Sequence, residues 1–371
     1  MLLGAATLAL NSVLVKNLLS NLKNRRHLKS HEDKIAPSTL NDFTLAIPLR
    51  NEAANLKKLL PLLSAQYSTP ARTLFLDDQS TDDSLEILQA FQEKNSHVEI
   101  LNGTKPPYPF NGKVWALKQL LEKVETEFVI FMDADVQMTH PRALFSLSEE
   151  ARPLKQGKYS FASVFPRSKA KLDTSILVNQ IFVQLYYFLP AHWTDSQLMT
   201  MSTGSGRVMV INAQKLREYN FLDKIADTTH DGLRLAQLFK AKERSVAFFD
   251  GGAFFQSDYY PSLVSAFKGL SRSSFETRRS QWATLAFSVI VFWAFVLPFV
   301  FLPFAIINPC WIAALFVILW GQYRLMQELD LNPVFVATTP IAASLLCLTH
   351  LWGAIKDKME IQEEWRGRLL R

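Results

Sequence analysis

The chain has 371 residues, 49% of them hydrophobic, and a formal charge of +6. It is long enough to bury the core of one large domain with appendages. Basic clusters at 23–29 (KNRRHLK), 272–279 (RSSFETRR) and 363–371 (EEWRGRLLR) flank apolar segments without any nucleic-acid motif, so they fit an anionic membrane face and argue against nucleic acid as a partner. Cys310 and Cys347 lie in apolar stretches without the spacing of a metal site or a disulfide framework.

The N-terminal run LLGAATLALNSVLVKNLLSNL is broken by Asn11 and Lys16, which predicts a marginal span or an interfacial helix. Residues 1–34 are set apart as a membrane-associated segment with a basic flank. Its charges follow the apolar run, unlike those of a cleaved signal peptide. FTLAIPLRN (43–51) predicts a strand that stops at Pro48. EAANLKKLLPLLSAQ (52–66) predicts a helix with Leu56, Leu59, Leu60 and Leu63 on one face. RTLFLDDQSTDDS (72–84) reads as a buried strand ending on Asp77 and Asp78, then a turn suited to cap the helix SLEILQAFQEK. HVEIL (97–101) predicts a strand, KVWALKQLLEKV (113–124) a helix, and EFVIFMDAD another strand.

Strand alternating with helix predicts a parallel sheet covered by helices, with ligands at the carboxyl ends of the strands. Asp133 and Asp135 fall at such an end, and at i and i+2 of an extended segment they share a face. They are either a solvated pair of loop carboxylates or ligands of a divalent cation, which would relieve their repulsion and leave positions for a diphosphate. SILVNQIFVQLYYFLPAHW (175–193) is either a core helix or an interfacial helix guiding a lipid. In TGSGRVMVI (203–211), Gly204 and Gly206 permit a tight turn before a strand. DTTHDGLRLAQLFKAK (227–242) predicts a helix whose first turn holds Asp231, a charge the helix dipole favours.

The uncharged WATLAFSVIVFWAFVLPFVFLPFAII (282–307) exceeds the ~20 residues a span requires. NPCWIAALFVILWGQYR (308–324) and NPVFVATTPIAASLLCLTHLWGAI (332–355) are further candidate spans. Three spans after a cytoplasmic domain would put the basic tail outside, against the charge bias, so the number of crossings stays open.

The ordered set PLRNEAANL, DDQSTDDS, NGKVWAL and FMDADV resembles the family-2 inverting glycosyltransferases. Their catalytic domain has the α/β, Rossmann-like GT-A fold that binds nucleotide sugars. The resemblance covers roughly 40–280 and implies a GT-A domain at 35–280, followed at 281–371 by C-terminal transmembrane helices and a basic tail. It implies that Pro48, Asn51 and Glu52 lie at the nucleotide pocket, that Asp77 and Asp78 contact the nucleoside, and that Lys113 lies near the nucleotide. Asp133 and Asp135 match the motif that binds Mg²⁺ or Mn²⁺, with Asp135 the direct ligand and Asp133 also facing the nucleotide sugar. Such a cation and a lysine neutralise the departing diphosphate. Lys113 read without the family is an ordinary lysine at a helix start.

An inverting transfer needs a carboxylate to take the acceptor's proton. The resemblance gives that place to Asp231, with Asp227 in reserve; His230 stands where the family usually has Glu. TRRSQW (277–282) holds the ingredients of the Gln-x-x-Arg-Trp motif of cellulose and hyaluronan synthases in another order, which implies a non-processive enzyme. Arg278 and Arg279 either reach the diphosphate or anchor the interface. Residues 258–279 are similar to the lipid-modifying branch of hopanoid-associated, carotenoid-type and ceramide glucosyltransferases. The expectation is a multi-pass inner-membrane enzyme with a cytoplasmic catalytic domain, moving one sugar from a UDP- or GDP-sugar to a lipid acceptor. A polyprenyl-phosphate glycosyl synthase and a non-catalytic membrane scaffold are the alternatives.

Overall fold

The computed structural model describes residues 1–151, 154, 156, 158–189, 202–244, 246–278, 280–359, 361, 363–365 and 368–370. In chain order the elements are α1 (Leu2–Lys23), β1 (Thr39–Leu49), α2 (Ala53–Ser64), β2 (Thr69–Asp77), α3 (Ser84–Gln92), β3 (Val98–Asn102), α4 (Gly112–Lys123) and β4 (Phe128–Met132). Then come β5 (Val136–Met138), α5 (Ala143–Glu150), β6 (Phe161–Phe165), β7 (Arg167–Ser168) and α6 (Leu172–Val183), which runs into a π-helical turn at Gln184–Phe188. β8 (Val208–Asn212), α7 (Ala213–Glu218), α8 (Phe221–Lys224), α9 (Asp231–Glu243), β9 (Ala247–Asp250) and β10 (Phe255–Ser257) follow. The last helices are α10 (Leu263–Arg278), α11 (Gln281–Phe295), α12 (Leu297–Val300), α13 (Cys310–Glu328) and α14 (Thr339–Lys358). The chain divides into two units, one of Arg26–Arg167, Trp193–Asp258 and Gln362–Arg371, the other of Met1–Arg25, Ser168–His192 and Tyr259–Ile361.

The first unit is built on a seven-stranded sheet in the order β3-β2-β1-β4-β8-β6-β9. Alternation along its strands supplies two apolar faces. Leu45, Ile47, Phe75 and Ile130 join Leu56, Leu59, Leu60 and Leu63 of α2 in one core. Their sequence neighbours Ala46, Leu74, Leu76, Val129 and Phe131 face the other way, onto Val114, Leu117 and Leu120 of α4 and Phe239 of α9. Each leucine so buried contributes about 1.5–3 kcal/mol relative to exposure.

The sheet is mixed, where the sequence predicts a parallel one. β1 pairs in parallel with β2 and β4, and β2 with β3, but β8 runs antiparallel to both β4 and β6. The regular strand–helix alternation behind the parallel expectation ends at β4, and the chain returns to β4 from the opposite direction. β1 also continues one residue past Pro48, which is paired with Leu76. The β4 pairing stops at Ala46, so the missing proline N–H breaks no ladder bond on that side.

In the second unit, α1 presents three asparagines to its neighbours. Asn11 Nδ2 donates to Ala314 O at 3.1 Å, Asn17 Nδ2 to Tyr187 O at 2.7 Å, and Asn21 Nδ2 to Tyr186 O and Leu189 O at 2.6 and 2.5 Å. A π-helical turn leaves carbonyls without their usual α-helical donors, and these side chains supply replacements. Residues 175–193, predicted as one helix, begin inside α6 and pass through this turn, while 190–193 lie outside the described residues.

Among the described residues α1 is the helix that by length and composition is apolar enough to cross a membrane. The spans expected at the C-terminal end are not shown among the described residues. Residues 282–307 do not form one long helix. α11 stops at Phe295, and Pro298 and Pro303 open two short turns, because a proline inside a helix removes a donor and clashes with the preceding turn. The 15 residues of α11 fall short of the ~20 that a straight span needs.

Candidate active site

Four loops at the carboxyl end of the sheet carry the acidic residues. The β1–α2 and β2–α3 loops are stitched to each other. Asp78 N donates to Leu49 O at 2.8 Å, Asn51 N to Ser80 Oγ at 2.9 Å, and Thr81 N to Asn51 Oδ1 at 2.7 Å. Asn51 adopts a left-handed conformation (φ 54°), which asparagine tolerates better than most residues. Glu52 N donates to Ser84 Oγ, and the Glu52 carboxylate accepts from Asn55 Nδ2 at 2.5 Å. The N-cap residue of α3, Asp83, makes no side-chain capping bond, and the residue before it serves the helix start instead. Asp82 accepts from Ser84 N and also from Ala53 N at the start of α2. Burial pushes the Asp82 carboxyl up, but the bonds from Ser84 and Ala53 outweigh it and leave it below its ordinary value.

Asp77 ends β2 with one oxygen accepting from Ser80 N at 3.2 Å. Its other oxygen is buried and accepts no hydrogen bond among the described residues. Arg50, which sequence reasoning passed over, donates to Asp78 O at 2.6 Å and Gln79 O at 2.9 Å, so it places a cation beside both loops.

The decisive cluster forms where β4, α4, β8 and α9 meet. Lys113 Nζ lies 2.7 Å from Asp133 Oδ1 and 3.1 Å from Asp231 Oδ2, and it donates to Gly206 O at 3.2 Å. Asn111 caps α4 by accepting from Val114 N at 2.9 Å, and its amide nitrogen donates to Thr228 O. The cap thereby ties the start of α4, and so Lys113, to the segment leading into α9. The Lys113 and Asp133 side chains are about one quarter exposed, at 26% and 25%, and Asp231 only 8%, so water screens this cluster weakly. Burial works to lower the Lys113 pKa, but the Asp133 and Asp231 carboxylates overcome it and raise the value. Asp133 is pushed up to about 6, first by burial and then by the neighbouring Asp135 and Asp231, against the pull of Lys113 and Arg207.

Glycine makes this approach possible. A Cβ on Gly206 would lie 2.2 Å from Asp231 Oδ1, and one on Gly232 would lie 2.2 Å from Gly206 N. The 204–206 turn therefore packs directly on the start of α9. Asp227 is exposed and stands outside the cluster, whereas Asp231 is buried within it. His230 takes the N-cap position of α9 without a capping side-chain bond.

Asp133 and Asp135 do not sit on an extended strand, as the sequence suggested. Val136 N donates to Asp133 O at 3.1 Å, which closes a turn, and each carboxylate meets its own cation. Asp135 Oδ2 pairs with Arg207 Nη1 at 2.8 Å, and the same guanidinium nitrogen donates to Ser257 Oγ. Asp135 Oδ1 is buried and accepts no hydrogen bond among the described residues. No group of three or more His, Cys, Asp or Glu residues among them is arranged to hold a metal. One or two carboxylates with an open oxygen still suit Mg²⁺ or Mn²⁺, which are commonly completed by substrate phosphates and water. Arg279 and the side chain of Arg278 lie outside the described residues.

Residues 44–171 match the glycosyl transferase family 2 profile. Over these residues the chain is similar to the family-2 glycosyltransferases. The match holds Pro48, Asn51, Glu52, Asp77, Asp78, Lys113, Asp133 and Asp135, while Gly206, Arg207 and Asp231 lie beyond it. The curated 4,4'-diaponeurosporenoate glycosyltransferase of Staphylococcus haemolyticus (strain JCSC1435) is 28% identical over 237 residues. That similarity covers 62% of this chain and 60% of the relative, so the chain matches about three fifths of the relative's length. The mannosyltransferase PcManGT from Pyrobaculum calidifontis, solved in complex with GDP-Man and Mn²⁺, has TM-score 0.52 at 13% identity, over 97% of this chain and 99% of that one. This likeness extends to the fold of the glycosyltransferase domain and is no evidence of its substrate. S. aureus TarS 1-349 in complex with UDP gives TM-score 0.41 at 14% identity, over 88% and 95% of the two chains.

Proposed function

We propose that the chain is a membrane-bound inverting glycosyltransferase that moves one sugar from a UDP- or GDP-sugar to a lipid acceptor at the cytoplasmic face. The observation that carries this reading is the Lys113 bridge between Asp133 and Asp231, which joins a strand-end acid to a buried carboxylate at a helix start. The proposed division is a membrane-associated 1–34, a catalytic 35–280 and a membrane-bound 281–371. Support for membrane attachment comes from α1 and from exposed apolar side chains such as Trp282, Ile306, Ile307 and Phe316. The lipid acceptor is supported by the name of the Staphylococcus haemolyticus relative.

In this reading Pro48, Asn51 and Glu52 line the nucleotide pocket, and the open oxygen of Asp77, with Asp78 beside it, receives a donor from the nucleoside. Asp135, with Asp133, holds Mg²⁺ or Mn²⁺, which supplies charge neutralisation to the departing diphosphate. Lys113 adds a fixed positive charge at the same place and orients the Asp231 carboxylate. Asp231 takes the proton from an acceptor hydroxyl as its oxygen attacks the anomeric carbon, and the bond to the diphosphate breaks on the opposite face. The buried start of α9 keeps bulk water from Asp231.

The relative's name specifies a carboxylate, and that favours a second acceptor chemistry. A carboxylate arrives without a proton and needs no general base. Both versions are tested with the full chain in detergent, supplied with radiolabelled UDP- and GDP-sugars and a lipid extract. A labelled lipid is expected from one of the donors. Asp135→Ala is expected to abolish it. Asp231→Asn is expected to lower transfer by about 10²–10⁴-fold with donor binding intact if the acceptor is a hydroxyl. Normal transfer by Asp231→Asn would assign a carboxylate acceptor, and normal transfer by Asp135→Ala would overturn the cation reading.

A further inference from the structure

We infer that Arg207 is the resident counter-ion of Asp135, and that its charge opposes binding of the divalent cation there while favouring the diphosphate. The inference rests on the cation reading above and concerns a residue outside the family match. Arg207 is held for this task from several sides. Its Nη1 is 2.8 Å from Asp135 Oδ2 and bonds Ser257 Oγ, its backbone N–H donates to Ser205 Oγ at 3.3 Å, and its carbonyl accepts from Asp133 N at 2.9 Å. The strand pair β5–β10 sets Ser257 opposite Val136, so the second acceptor of Arg207 is registered directly against the turn that carries Asp135. Of the two Asp135 oxygens, Oδ1 accepts no hydrogen bond among the described residues.

Charge bookkeeping gives this arrangement a consequence. Asp133, Asp135 and Asp231 face Lys113 and Arg207, which leaves the fully ionised cluster at a formal charge of −1. A divalent ion alone would turn it to +1 beside two fixed cations. The same ion arriving with the two negative charges of a sugar diphosphate returns it to −1. Arg207 therefore repels the ion and attracts the diphosphate, so the ion–diphosphate pair as a whole meets less opposition than the bare ion. Arg207 acts through Asp135 and is a positioning residue.

The test measures Mn²⁺ binding to the detergent-solubilised full chain by electron paramagnetic resonance of the free ion, with and without UDP or GDP. Arg207→Gln is expected to bind Mn²⁺ alone about 3- to 30-fold more tightly than wild type, the range for one partly screened unit charge beside a divalent ion. UDP or GDP without the ion is expected to bind more weakly to this variant than to wild type. Arg207→Met, which keeps the apolar stem, is a second neutral variant and is expected to behave alike. Arg207→Lys, which keeps the charge, is expected to stay near wild type. Damage to the fold would loosen the ion, so tightening is not a structural side effect. Unchanged or weaker Mn²⁺ binding in both neutral variants would overturn the inference while leaving the cation reading intact. If Asp135→Asn binds Mn²⁺ as wild type does, the cation reading itself fails and the inference with it.

Discussion

Asp133 shows what a reactive centre costs its own fold. Its carboxyl, pushed up to about 6, holds a proton more tightly in the folded, ligand-free protein than in the unfolded chain, where an aspartate titrates near 3.9. The raised value means a contribution to stability that is whole below about pH 4 and lost as pH rises through about 6. Asparagine carries no such penalty. Asp133→Asn is therefore expected to gain on wild type by about 1–3 kcal/mol between pH 4 and pH 7, read from melting temperatures across that range. A gap that stays flat with pH would mean that Lys113 already offsets the burial of this acid.

At the scale of elements, the contact between the 204–206 turn and the start of α9 is the most demanding packing in the site. Gly232→Ala would set a methyl 2.2 Å from Gly206 N, against backbone that cannot rotate away. The expected result is a loss of about 1–3 kcal/mol in thermal stability and a steep fall in transfer, with nucleotide binding largely kept. Unaltered transfer would show that the position of Asp231 tolerates a shift. Much of the framework was legible in the residues. Leu56, Leu59, Leu60 and Leu63 announced α2, and the apolar runs before Asp77 and Asp133 announced β2 and β4, because periodicity reports burial directly. The reversal of β8 was not legible, since direction depends on a return path that no local pattern encodes. Asp133, Asp135, Lys113 and Asp231 were found by order along the chain. Arg50 and Arg207 were missed because a lone arginine beside a strand looks like any surface cation until its partner is known. The break of the 282–307 run after Phe295 follows from Pro298 and Pro303, which overall apolar content does not register.

For the whole molecule, the proposed attachment to the bilayer is the property that a fractionation experiment tests. With α1 and exposed side chains such as Ile306 and Phe316, the full chain is expected to stay in the membrane pellet through washes in high salt and alkaline carbonate. Release by salt alone would mean that its basic clusters, not its helices, hold it there. The asparagines of α1 carry a further consequence for anyone who re-engineers this N-terminus. Asn17 and Asn21 serve the carbonyls of Tyr186, Tyr187 and Leu189, so the segment is a fitted part and not a generic anchor. A substitute leader chosen only for greasiness and matching length would still reach the lipid, yet it would leave the π-helical turn unsupported.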